Sequence, residues 1–101
     1  MFATIRRYAG LTPSAVEALV DRSSDIVDVL ASVPGARGSL LIRTRGDVVL
    51  VTLGADESCL VESGRRFRAW VEAHVSEFRT VAEADVWVGE VVAQDRGASS
   101  G

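Results

Sequence analysis

Residues Phe67–Phe78 (FRAWVEAHVSEF) hold the only histidine of the sequence, one of its two tryptophans and two of its three phenylalanines. Histidine ordinarily titrates near neutral pH, so His74 is the first candidate for a general base. Such a base could take an acidic phenolic or enolic proton and leave a carbanion able to react with oxygen. On a helix, Trp70 lies one turn before His74 and Phe67 two turns before it, on one flank. Trp70 and Phe67 could then stack on a planar ligand. The plainer reading makes both of them core, and His74 a half-buried helix histidine satisfied by one hydrogen bond. No acid is placed by the sequence to orient the imidazole.

Arginine supplies the second kind of chemistry. Arg6, Arg7, Arg43 and Arg45 fall in strand-like runs, where at least two should point into a covered face. A buried guanidinium needs a partner. It is either paired with an acid such as Glu90 or available to an anionic ligand, which makes Arg6 and Arg43 candidate substrate-binding residues. Arg65-Arg66-Phe67-Arg68 is surrounded by Glu62, Glu72 and Glu77 and reads as a solvated face. Cys59, in the first turn of a helix, has no second cysteine or placed histidine and reads as incidental. No metal-ligand spacing, phosphate loop, dinucleotide fingerprint or nucleophile elbow occurs in the sequence, so neither metal nor cofactor is expected.

The elements that must position these residues follow from periodicity. Phe2–Tyr8 reads as a strand. Thr12-Pro13 starts a helix that should run from Pro13 to about Ser32, its stripe being Val16, Leu19, Val20, Ser23, Val27 and Leu30. Val33-Pro34-Gly35 stops it. Ser39–Arg45 and Val48–Leu53 should pair as a hairpin turning at Gly46-Asp47. Asp56 caps a second helix with the stripe Leu60, Gly64, Phe67, Val71, His74/Val75 and Phe78. Glu62/Arg66 and Arg68/Glu72 are spaced as exposed pairs on that helix. Gly64 within the stripe implies close backbone packing or room for a ligand. Val86–Ala93 reads as the last strand. The order βαββαβ gives an α+β, ferredoxin-like fold, a four-stranded antiparallel sheet with two helices on one face. The hairpin is apolar on both faces, so the second sheet face should be covered by a partner, most simply a homodimer.

Size and composition narrow the classes. A chain of 101 residues, 48% apolar, fits a single domain over residues 1–93, with a small, polar, flexible tail at 94–101. A net charge of −3 argues against nucleic-acid binding, and no apolar run approaches the roughly 20 residues of a membrane span. One cysteine cannot form an internal disulfide, so a cytoplasmic location is expected.

The segments FATIRRYAG, VPGARGSLLIRTRGDVVLVTL, AWVEAH and VWVGEVV together resemble the antibiotic-biosynthesis-monooxygenase-like superfamily over nearly the whole chain. The resemblance implies a ferredoxin-like protomer, a dimeric α/β barrel, and a pocket between sheet and helices. Its members include monooxygenases that oxidise aromatic polyketide-type molecules without metal or flavin, haem-degrading enzymes, and proteins of no assigned activity. By position His74 resembles the histidine that binds haem iron in the haem-degrading branch. That branch also uses an asparagine in the first strand, and this sequence contains none, with Arg6 or Arg7 near its place. Relatives commonly carry an aromatic where this chain has Gly54. The activity implied is cofactor-independent oxidation of a small aromatic molecule; the alternative is a non-catalytic ligand-binding or interaction module.

Overall fold

The computed structural model describes residues 1–81 and 83–95. The chain runs β1 (Phe2–Ala9), α1 (Pro13–Asp21), α2 (Ser23–Ala31), β2 (Ala36–Arg43), β3 (Asp47–Gly54), α3 (Glu57–His74), a short 3₁₀ turn (Ser76–Thr80) and β4 (Glu83–Glu90). The strands form one antiparallel sheet in the order β2-β3-β1-β4. The helices lie against one face of it, the ferredoxin-like arrangement. Part of the expected C-terminal tail, from residue 96 onward, lies outside the described residues.

The strand alternation assigns the faces. Thr4 and Tyr8 of β1, and Val48, Leu50 and Thr52 of β3, are buried beneath the helices. Tyr8 meets Phe67 at 5.6 Å and Phe78 at 5.1 Å between ring centroids, and Phe67 stands edge-on to Phe78 at 6.0 Å. All three rings are fully buried, each contributing about 1.5–3 kcal/mol of apolar transfer, and burial pushes the Tyr8 phenol up to about 12. Leu19, Ile26, Leu30 and Val71 complete the core.

Four expectations change in detail. The first helix is two: Arg22 (φ −107°, ψ 16°) leaves helical geometry between α1 and α2. The serines that follow, Ser23 and Ser24, hold a helix weakly and tolerate the break. Ile26 and Leu30 carry the buried stripe of α2, while Val20 and Val27 are exposed. The hairpin turns on Arg45-Gly46, one residue earlier than expected, with Thr44 N–H donating to Asp47 O at 3.0 Å and Gly46 at φ 85°. The long helix ends at His74. Val75 is extended, and the 3₁₀ turn returns Phe78 to the core. β4 begins three residues early because its acids are held by β1: Arg6 bonds Glu83 at 2.7 Å and Arg7 bonds Asp85 at 2.7 Å.

The caps at Thr12 and Asp56 are as expected, their oxygens accepting from the N–H groups of Ala15 and Cys59. Glu62 also holds its pairs: Arg65 and Arg66 both bond it, and they draw its carboxyl down to about 2. Arg68 pairs with Glu72 and lies over the Phe78 ring.

Gly64 resolves toward close packing. A Cβ there would stand 2.6 Å from the Arg6 guanidinium carbon, so the arginine occupies the notch that the glycine leaves under α3. Gly64→Ala should expel that guanidinium and break its bond to Glu83. In an Arg6→Ala background the same change should stabilise by about 1 kcal/mol through helix propensity. A double-mutant cycle by denaturant unfolding should therefore give a coupling of about 1 kcal/mol or more, whereas additive effects would refute the notch.

Candidate functional site

The break between α1 and α2 opens the helical layer over the β2–β3 hairpin. A half-open pocket of about 220 Å³ lies there, lined by Leu19, Val20, Ser23, Leu41, Arg43 and Val48. Its composition follows from alternation. Leu41 pairs with Leu50 and Arg43 with Val48, which sets both β2 side chains on the helix-facing side of the sheet. The pocket body is aliphatic. Its polar groups are the Ser23 hydroxyl and the Arg43 guanidinium, and Nη1 of Arg43 also bonds Oε1 of Glu17 on α1 at 3.1 Å. Such a site suits a small apolar molecule with an acidic oxygen at one end.

The five residues singled out by sequence are not brought together. Arg43 alone lines this pocket. Phe67 is held in the aromatic core by Tyr8 and Phe78. Trp70 is half-buried against the core, and His74 is exposed on the last turn of α3. Their rings stack at 4.1 Å with 16° between planes, and Nδ1 of His74 lies 2.7 Å from the Trp70 carbonyl oxygen. That oxygen only accepts, so Nδ1 is the donor in this contact. His74 makes the one hydrogen bond expected of it, to a backbone carbonyl. It is exposed where half-burial was expected, because it lies on the last turn of α3 beyond the buried stripe.

Arg6 lies on the helix-facing side of β1 with its side chain 16% exposed, and it pairs with Glu83, not Glu90. Its Nε is buried without a partner among the described residues, as are the hydroxyls of Thr4 and Thr52, which sit opposite each other on β1 and β3. Sequence reasoning misses this polar row and the pocket walls. The signal for the walls is the i, i+2 spacing of Leu41 and Arg43, together with Ser23 interrupting an apolar stripe. Cys59 fills the space above Gly54, where a Cβ would meet its Sγ at 2.8 Å, so the buried thiol is a packing group.

Among the described residues no group of three or more His, Cys, Asp or Glu could hold a metal ion, and no helix is long and apolar enough to cross a membrane.

No protein-family model matches the chain, and no curated protein is similar to it in sequence. Solved structures are similar. Rv0793 from Mycobacterium tuberculosis is 24% identical, with 92% of this chain and 96% of that one covered at a TM-score of 0.63. SnoaB from Streptomyces nogalater, a cofactor-independent oxygenase solved in a mutant form, is 12% identical over 95% and 97% at 0.63. A dimeric ferredoxin-like protein from an uncultured marine organism is 10% identical over 93% and 96% at 0.63. The fold is that of the antibiotic-biosynthesis-monooxygenase-like proteins.

The polar row gives a test of its own. A buried hydroxyl without a partner is destabilising, so Thr52→Val should raise stability by about 1 kcal/mol. The shift should appear in the denaturant midpoint at unchanged slope, and a loss of stability would mean that the hydroxyl is satisfied in solution.

Proposed function

We propose that this protein binds a small hydroxylated aromatic molecule in the pocket between the α1–α2 break and the β2–β3 hairpin, and oxidises it with dioxygen without metal or flavin. The observation that carries the reading is the aliphatic pocket with one guanidinium at its rim, in a fold shared with a cofactor-independent oxygenase. Arg43 would stabilise a phenolate or enolate, and such an anion gives electrons to oxygen directly. In the balanced reaction an activated CH₂ of the substrate becomes C=O. One oxygen atom enters the carbonyl and the other leaves as water, with the substrate supplying all the electrons. Arg6, Phe67 and Trp70 support the walls of the helical layer in this reading, and His74 lies at the surface outside the pocket. A cytoplasmic location fits the single cysteine.

A non-catalytic binding module is the second reading. It is favoured by the position of His74 outside the pocket lining, which leaves no imidazole beside the bound molecule. Oxygen uptake with one- and two-ring phenols such as hydroxynaphthalenes separates the two. The oxygenase reading expects saturable uptake that Leu41→Trp abolishes by filling the pocket. Arg43→Ala should lower it by about tenfold or more. His74→Ala should stay within about twofold of the unaltered chain, since a working general base would contribute about a hundredfold or more. Ligand binding without uptake would establish the binding module.

We further propose a homodimer formed sheet to sheet. Ile5, Leu40, Ile42 and Trp87 share the sheet face away from the helices, and Leu40 and Trp87 are 61% and 53% exposed. A contiguous apolar face of that kind is an association surface. Leu40→Asp should convert a species of twice 10.8 kDa into one of 10.8 kDa in sedimentation equilibrium, with the circular dichroism unchanged. An unaltered chain that sediments as a monomer at high micromolar concentration would end the proposal.

A further inference from the structure

The pocket volume and its rim together restrict what it can hold. A dry aliphatic cavity of about 150 Å³ accepts benzene, so about 220 Å³ accommodates one ring or two fused rings and leaves the further rings of a larger polycycle outside. The walls that meet those rings, Leu19, Val20, Leu41 and Val48, offer no side-chain hydrogen bond. Orientation therefore falls to Arg43 and Ser23. Arg43 is already engaged by Glu17 from α1, but the pair is 55% and 63% exposed, joined by a single contact of 3.1 Å, and Glu17 is not among the residues that line the pocket. An exposed ion pair of this kind is weak and easily exchanged.

We infer that Glu17 is an internal stand-in for the ligand's own acid, and that the pocket selects one- or two-ring aromatic acids whose carboxylate takes Glu17's place on Arg43. This rests on the pocket being the binding site, and it narrows the hydroxylated aromatics proposed for that site to those that also carry a carboxylate. The apolar body enters against Leu41 and Val48, the carboxylate meets the guanidinium, and the displaced Glu17 turns to solvent on the outer face of α1. A planar guanidinium suits a carboxylate because it can offer two parallel N–H donors. A neutral molecule of the same shape leaves the Arg43–Glu17 pair intact and gains nothing from it. Glu17 thus acts as a competitor that raises selectivity for acids over neutral aromatics at some loss of affinity.

Isothermal titration with 2-naphthoate and its neutral analogue 2-naphthamide, at neutral pH and low salt, tests this. Arg43→Ala should weaken naphthoate binding about tenfold and change naphthamide binding less than about twofold. Glu17→Gln should strengthen naphthoate binding several-fold and leave naphthamide unchanged. Leu41→Trp should remove both. Equal effects of Arg43→Ala on the two probes, or no gain in Glu17→Gln, would overturn the exchange while leaving the pocket in place. Failure of the unaltered chain to bind either probe would overturn both the exchange and the pocket reading. All three substitutions sit at the pocket or on the surface, and a thermal melt of each confirms that the fold survives.

Discussion

The seat of α3 on the sheet decides what the rest of the molecule can offer. At Gly64 the helix has no side chain, and the space beneath it is filled by the Arg6 guanidinium rising from β1. One turn further on, Phe67 closes onto Tyr8, and the 3₁₀ turn folds Phe78 back onto both rings. These contacts use up the inner stripe of the longest helix. A residue on that stripe cannot also line an open cavity in a close-packed interior. Phe67 is therefore a structural ring. Trp70 lies at the edge of the stripe, half-buried against the core, and His74, past the last buried turn, stacks on its ring from the solvent side.

Space for a ligand arises where the other helical segment gives way. A single straight helix from Pro13 to Ser32 would have laid one continuous ridge over β2 and β3. The interruption at Arg22 divides it, Leu19 and Ile26 both reach full burial, and the sheet beneath the junction is covered incompletely. The residue left at the edge of that opening is Arg43, carried there by strand alternation two positions beyond Leu41. A cation at an aliphatic opening is an asymmetric environment. It favours anionic character in whatever occupies it.

Much of this fold is legible in the residues alone, and the exceptions have local causes. Thr12-Pro13, Asp56 and Val33-Pro34-Gly35 are boundary signals with a mechanism, and the structure uses each of them. The break at Arg22 carries no glycine or proline and is decided by tertiary packing over the sheet, so periodicity reads straight through it. Gly46 satisfies either register of the hairpin turn, and only the pairing of Arg43 with Val48 distinguishes them. Phe78 reads as helical because it is buried at a helical interval, although a different turn brings it there. Glu83 and Asp85 do not look like strand residues, and their place in β4 depends on Arg6 and Arg7 at the far end of the chain. The pocket is the least legible feature, since its walls come from α1, α2, β2 and β3, and no local pattern brings them together.

The adjacent arginines Arg6 and Arg7 show how one strand divides two tasks. Alternation sends Arg6 under the helices to Glu83 and Arg7 to the opposite face, where it bridges Asp47 on β3 and Asp85 on β4. The same kind of side chain thus serves as a packing group on one side and as a cross-strand clasp on the other. The clasp occupies one end of a face whose remainder is Ile5, Leu40, Ile42, Val49, Val51 and Trp87. Apolar surface drives sheet-to-sheet association without fixing its direction, whereas a fixed cluster of charges at one end cannot be slid freely across a partner's apolar strip. A two-fold arrangement must place each cluster either against its copy or at the rim in water. The clasp carries two acids for one base, so face-to-face approach is repulsive and the rim is the stable position. In the proposed dimer the charge pattern of β1, β3 and β4 would select the register, and the apolar residues between them would supply the driving force.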